Sequence, residues 1–84
     1  MIEIDRAGWA VIKDGKRIKL THKEFLIVDM LAKRPGMVRS HAQLAEAAEI
    51  DADPYVAVRS HIKRLRAKGI KIETRYDIGL AWPA

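Results

Sequence analysis

The sequence predicts an α+β domain in which a short antiparallel sheet precedes three helices and a hairpin closes the chain. Three observations carry that expectation. Asp14-Gly15 stands between two runs that alternate apolar with other residues, two capping boxes each precede apolar residues at helical spacing, and the stretch after Gly69 alternates strictly.

Taken in order, Ile2 and Ile4, then Trp9 and Val11, give two β-like runs separated by Asp5-Arg6-Ala7-Gly8, which has turn composition. Asp14-Gly15 follows, and Ile18 and Leu20 alternate with charged residues beyond it. Asp-Gly suits a two-residue type I′ turn, which needs positive φ at both central positions. A sheet is therefore expected over 2–20, with Lys16, Arg17 and Lys19 solubilising exposed strands rather than touching phosphate. Thr21 with Glu24 forms the first capping box, and Phe25, Ile27, Val28 and Leu31, widened by Leu26 and Met30, predict a helix over 22–34 ended by Pro35-Gly36. Ser40 with Gln43 forms the second, opening a short helix through about Ala48.

Asp53 before Pro54 caps a third helix over 54–68, and Gly69 stops it. Tyr55, Val58, Ile62 and Leu65 fall on one stripe to be buried, while Lys63, Arg64, Ser60 and Ala67 look the other way. Residues 70–82, with a turn containing Asp77 and Gly79, are expected to form the terminal hairpin. Sheet, helix, short helix, basic helix and hairpin, in that order, is the layout of a winged helix-turn-helix: sheet 2–20, helices within 21–69, wing 70–82.

The 84 residues are expected to form one domain, 1–84, whose single core is only marginally adequate at that size. Cysteine is absent, so no disulfide or Cys-ligated zinc is expected, in keeping with a reducing cytosol. Apolar runs are too short to span a membrane and the first residues lack a signal peptide's apolar stretch, so a soluble cytoplasmic protein is expected. The formal charge of +5 is polarised. From Pro54 to Arg75 seven basic residues face Glu73 alone, whereas Glu46, Glu49, Asp51 and Asp53 have no Lys or Arg between Ser40 and Asp53. The cationic block is the natural side for phosphates. Three separated histidines, no glycine-rich phosphate loop and no nucleophile constellation predict neither an enzyme nor a metal or other cofactor. Trp9 and Trp82 are expected in the core or against the sheet, and so few aromatics argue against single-strand recognition.

The chain resembles a specific family, the DNA-binding effector domain of OmpR/PhoB-type response regulators. Leu20-Thr21, Glu24-Phe25, Leu31, Pro35-Gly36, Val38, Ser40 and Leu44 are similar to that family's signature through its first two helices. Val58, His61-Ile62, Arg64-Leu65-Arg66 and Lys68 resemble its recognition helix, and Ile72, Thr74, Tyr76 and Ile78-Gly79 its wing. The match runs from about Gly15 to Trp82. In the wing, Asp77 stands where glycine is usual, and Leu80 and Ala81 replace an aromatic and a basic residue. The segment 46–53 lacks the family's tryptophan-containing pattern. The domain is expected to stand alone, without a receiver domain and its phosphoacceptor aspartate.

The resemblance implies a bacterial or phage transcription regulator that reads double-stranded DNA. Arg64 matches a base-facing position and, with Lys63, is expected to read the major groove, where arginine meets guanine bidentately. Ser60, Val56 and Ala67 let the backbone approach. Arg59, Arg66 and Lys68 are expected to anchor phosphates. His61 is either a packed helix-boundary residue or a phosphate contact, and Arg39, just before the second helix, is a further phosphate candidate. Thr74 is implied to donate to phosphate. Arg75 and Tyr76 would reach the adjacent minor groove or its backbone, with packing of Tyr76 on the basic helix as the alternative. The rival reading is a winged-helix adaptor that binds RNA polymerase or another regulator through 46–53 or the sheet. Pairing on DNA, as a dimer or head to tail, also follows from the resemblance.

Overall fold

The structure, a computed structural model, describes residues 2–75 and 78–84. Strands β1 (Ile2–Asp5), β2 (Ala10–Lys13) and β3 (Lys16–Lys19) form an antiparallel sheet in that order. Asp14 and Gly15 hold φ values of 52° and 77°, the left-handed pair that a type I′ turn demands. The register sets Val11 opposite both Ile4 and Ile18, which turns these three apolar side chains toward the core.

Helix α1 (His22–Ala32) starts at the expected capping box: Thr21 Oγ accepts from the Glu24 amide at 3.2 Å, and the Thr21 amide donates to the Glu24 carboxylate at 2.8 Å. Helix α2 (His41–Ala47) repeats the device with Ser40 and Gln43. Helix α3 (Pro54–Ala67) has the Asp53 carboxylate accepting from the Tyr55 and Val56 amides, and it ends at Gly69, φ 92°. Each helix stops one or two residues short of the expected end because the final turn bonds to the preceding carbonyls as a cap.

The C-terminal hairpin is shorter than the alternation predicts, with β4 (Glu73–Arg75) paired to β5 (Gly79–Ala81). Ile70 and Ile72 lie outside it. The Ile70 amide bonds back to the Leu65 carbonyl, and both side chains are buried among the helices. β5 is held on its other edge by the chain after α1, where Arg39 and Leu80 exchange backbone hydrogen bonds of 2.8 and 2.9 Å. Glycine is required at 79, since a Cβ there would overlap the Arg39 carbonyl oxygen.

The core gathers Phe25, Ile27, Val28 and Leu31 of α1, Leu44 of α2, and Val58, Ile62 and Leu65 of α3, closed below by Val11 and Leu20 and above by Leu80 and Trp82. Trp82 is buried as expected. Trp9 is not: it is 45 % exposed at the end of the first turn, with φ 49°, and stacks on the His22 ring with centroids 4.4 Å apart. Three helices with a sheet before them and a hairpin after them make a winged helix-turn-helix, and among the described residues no helix is long and apolar enough to cross a membrane.

Candidate nucleic-acid interface

α3 buries Val58, Ile62 and Leu65. At 100° per residue the opposite side carries Val56, Ser60, Lys63 and Ala67, all exposed. Among the described residues Lys63 and Ser60 have no side-chain partner. This outward face is small at its centre, with one lysine, so a backbone can approach a groove closely along it.

The two flanks differ. On the side toward α1 lie His61, Arg64 and Lys68. Arg64 Nη2 donates to His61 Nδ1 at 3.1 Å, which fixes that ring nitrogen as the unprotonated one. Burial, then the Arg64 charge, pushes the His61 imidazole below its ordinary pKa, with Glu24 pulling the other way and Lys23 adding to the decrease. The half-buried imidazole is thus both a helix-boundary residue and a support for Arg64. The Lys68 ammonium lies 2.7 Å from the Glu24 carboxylate and also donates to the Lys19 carbonyl at 3.3 Å. Burial pushes the Glu24 carboxyl up, but the Lys68 hydrogen bond, then the Thr21 amide and the Lys68 charge, outweigh it and hold it below the usual carboxylate range.

On the side toward the wing lie Tyr55, Arg59 and Arg66. Arg66 donates through Nε and Nη2 to the Ile72 carbonyl, at 3.1 and 2.6 Å, and through Nη2 to Thr74 Oγ at 2.9 Å. It fastens the wing to the helix. Tyr55, expected in the buried stripe, is 49 % exposed. It occupies the second helical position, where α3 has outrun the core, and packs on His41 of α2 and under the Arg59 guanidinium. Between α3, the start of α2 and the wing runs an open groove of about 520 Å³, floored by Ile62 and Leu80 and lined by His41, Tyr55, Arg59, Lys63 and Arg66.

Arg39 is half-buried, its backbone tied to Leu80 and its Nε buried without a hydrogen-bond partner among the described residues. Arg75 pairs with Glu73 across 2.7 Å on the surface of β4. Tyr76 and Asp77 lie outside the described residues. At the end of α2 and in the turn to α3, Glu46, Glu49, Asp51 and Asp53 are all exposed, with Glu49 at φ 57° and the Lys23 ammonium capping the Ala48 and Glu49 carbonyls at 3.0 and 2.8 Å. The described residues contain no grouping of His, Asp and Glu able to hold a metal ion.

The structure therefore brings Arg64, Lys63, Ser60, Arg59 and His61 onto one helix surface, with Arg66 and Thr74 joined at its wing edge. It turns Lys68 toward Glu24. Three features escaped the sequence reading: the Glu24–Lys68 pair, the Arg66 clamp and the Tyr55 ring. Only the last left a signal, the Tyr55 to Arg59 spacing of one helical turn.

Residues 15–79 match the family described as transcriptional regulatory protein, C terminal. The regulatory protein CutR of Streptomyces coelicolor is 36 % identical over 69 residues, which cover 80 % of this chain and 32 % of CutR, so the chain spans about a third of that relative. The response regulator DrrB of Thermotoga maritima, an OmpR/PhoB homologue, superimposes over 99 % of this chain and 42 % of its own with a TM-score of 0.82 and 33 % identity. The DNA-binding domain of the response regulator AdeR, solved in complex with an intercistronic region, covers 98 % of this chain and 93 % of its own at a TM-score of 0.83 and 24 % identity. That last likeness is one of fold.

Proposed function

The chain belongs to the OmpR/PhoB-type family of C-terminal DNA-binding domains of transcriptional regulators, not to an enzyme family, and from that premise we propose that it reads double-stranded DNA sequence-specifically through α3. The observation that carries this reading is the exposed surface of α3, small along its centre and flanked by arginines held by neighbouring side chains. A major groove admits one helix, and guanine offers two acceptors to an arginine fork. In this proposal Arg64 and Lys63 read base edges and Ser60 allows close approach. His61, Arg39, Thr74 and Arg75 meet the backbone or the adjacent minor groove, as Tyr76 would, and Arg59 faces the groove from the wing-side flank. Arg66 and Lys68 hold the surface in shape, their charges still adding to the field that attracts phosphates. Residues 1–84 act as one domain in the cytoplasm, and pairing on DNA lengthens the site.

Selection of bound duplexes from a randomised pool, followed by titration over salt, tests the proposal. Arg64→Ala should weaken the selected site by about 1–3 kcal/mol and relax preference at one base pair. Equal binding of wild type and Arg64→Ala across the pool would sink the assignment. A second reading, an adaptor that binds RNA polymerase or another regulator, draws on the exposed acidic turn over 46–53. It predicts DNA binding that is weak, indifferent to sequence and abolished by moderate salt.

A further inference from the structure

Tyr55 sits between two partners. His41, the first residue of α2, packs on its ring with centroids 4.8 Å apart. Arg59, one turn along α3, places its guanidinium 5.1 Å from the ring centroid, and Nη1 reaches the phenol oxygen at 3.4 Å. A guanidinium laid on an aromatic face keeps edge donors directed outward, and its fork loses little freedom when it then meets a pair of acceptors. A point charge such as lysine's serves a phosphate, whereas a guanidinium held edge-out suits a pair of fixed acceptors such as guanine O6 and N7. The neighbouring Arg66 is committed to Ile72 and Thr74, so on this flank Arg59 has the available fork.

We propose that Tyr55 is a specificity-determining positioning residue that presents Arg59 to a guanine edge, giving the domain a second base reader across α3 from Arg64. This rests on the major-groove reading above. Arg59 lies in the second turn of α3, the part of a recognition helix whose side chains meet base edges. Five residues separate it from Arg64, about 7.5 Å along the axis, close to two base-pair steps of about 3.4 Å. The two side chains leave opposite flanks of the helix, so the guanines they meet stand on opposite strands.

The test is selection from a randomised duplex pool by the wild type, Arg59→Lys, Tyr55→Phe, Tyr55→Ala and Arg64→Ala, each checked for folding by circular dichroism. Wild type should select guanine at two positions on opposite strands about two steps apart. Arg59→Lys keeps the charge but should reduce the preference at one of them about tenfold or more while sparing the other. Tyr55→Ala should weaken that same position, and Tyr55→Phe, which keeps the ring, should restore it. An Arg59→Lys profile identical to that of the wild type overturns the inference, as does a Tyr55→Ala variant that loses affinity equally for every sequence. Should the wild type select nothing, the major-groove reading falls as well. Should Arg64→Ala relax one position while Arg59→Lys relaxes none, only the Tyr55–Arg59 pair is refuted.

Discussion

Replacing Lys68 by methionine keeps the aliphatic stem and removes the ammonium that lies 2.7 Å from the Glu24 carboxylate. Removing one partner of a fully buried ion pair costs about 3–5 kcal/mol. Here the Glu24 side chain is 2 % exposed but that of Lys68 is 34 % exposed, and Glu24 keeps the Thr21 amide at 2.8 Å. The smaller figure of about 1–3 kcal/mol for a buried acceptor left unsatisfied therefore applies. Each kcal/mol should lower the melting temperature by about 4–8 °C in a domain of this size. Urea unfolding followed by circular dichroism from pH 3 to 7 measures it. The folded Glu24 carboxyl titrates below its ordinary value, so its contribution is fully present above the unfolded pKa, about 4.3, and is lost as pH falls through the folded value. The difference between wild type and Lys68→Met should accordingly be largest near neutrality and shrink toward pH 3. Glu24→Gln supplies the control, since Gln43 already fills the same capping position in α2. In that background Lys68→Met should have little effect. A penalty that is equal at pH 3 and pH 7, or unchanged in the Glu24→Gln background, would refute the reasoning.

Gly79→Ala should destabilise the domain by about 1–3 kcal/mol in thermal melting, because the added methyl collides with the rigid Arg39 carbonyl and pushes the wing off the helices. His61 has a depressed pKa in the folded state, so its contribution is present above the unfolded value, about 6.5, and is lost as pH falls toward the folded one; His61→Gln should flatten stability between pH 5 and 7. The logarithm of DNA affinity should fall with the logarithm of salt at a slope of about −4 to −5 per domain, not the steeper value that every basic residue after Pro54 would give. Lys68 already faces a carboxylate, and Lys71 lies in a separate hollow beside Lys13 and Pro83.

Local chemistry was the legible part. Asp14-Gly15, the two capping boxes and Asp53-Pro54 each act within a few residues, and each appears where the sequence places it. Periodicity gives the azimuth of α3 but not how far the core extends beneath it, so Tyr55 falls on the expected stripe although its buried part begins only at Val58. Alternation over 70–74 marks the segment as strand-like but cannot reveal that the Ile70 amide is already claimed by the end of α3. The roles of Arg66 and Lys68 depend on acceptors in other elements, the Ile72 carbonyl and the Glu24 carboxylate, and no spacing along α3 encodes those.

The basic residues of α3 thus divide by direction rather than by type. Arg66 and Lys68, one on each flank near the C-terminal end, tie the helix to the wing and to α1. Arg59 and Arg64, nearer its outward surface, rest on Tyr55 and His61. A helix fastened at one end on both sides cannot roll in its seat, and a roll of even one residue's angle, about 100°, would exchange the outward face for a flank. Long cationic side chains otherwise lose about 0.5–1.5 kcal/mol each on being ordered by a partner. Where the protein has already ordered them, that loss is borne in folding, and the free energy of each base contact is available to discriminate among sequences. A charge-matched Arg66→Lys or Lys68→Arg variant should for that reason blur sequence preference more than it lowers affinity for bulk DNA, the opposite of what loss of a phosphate anchor would do.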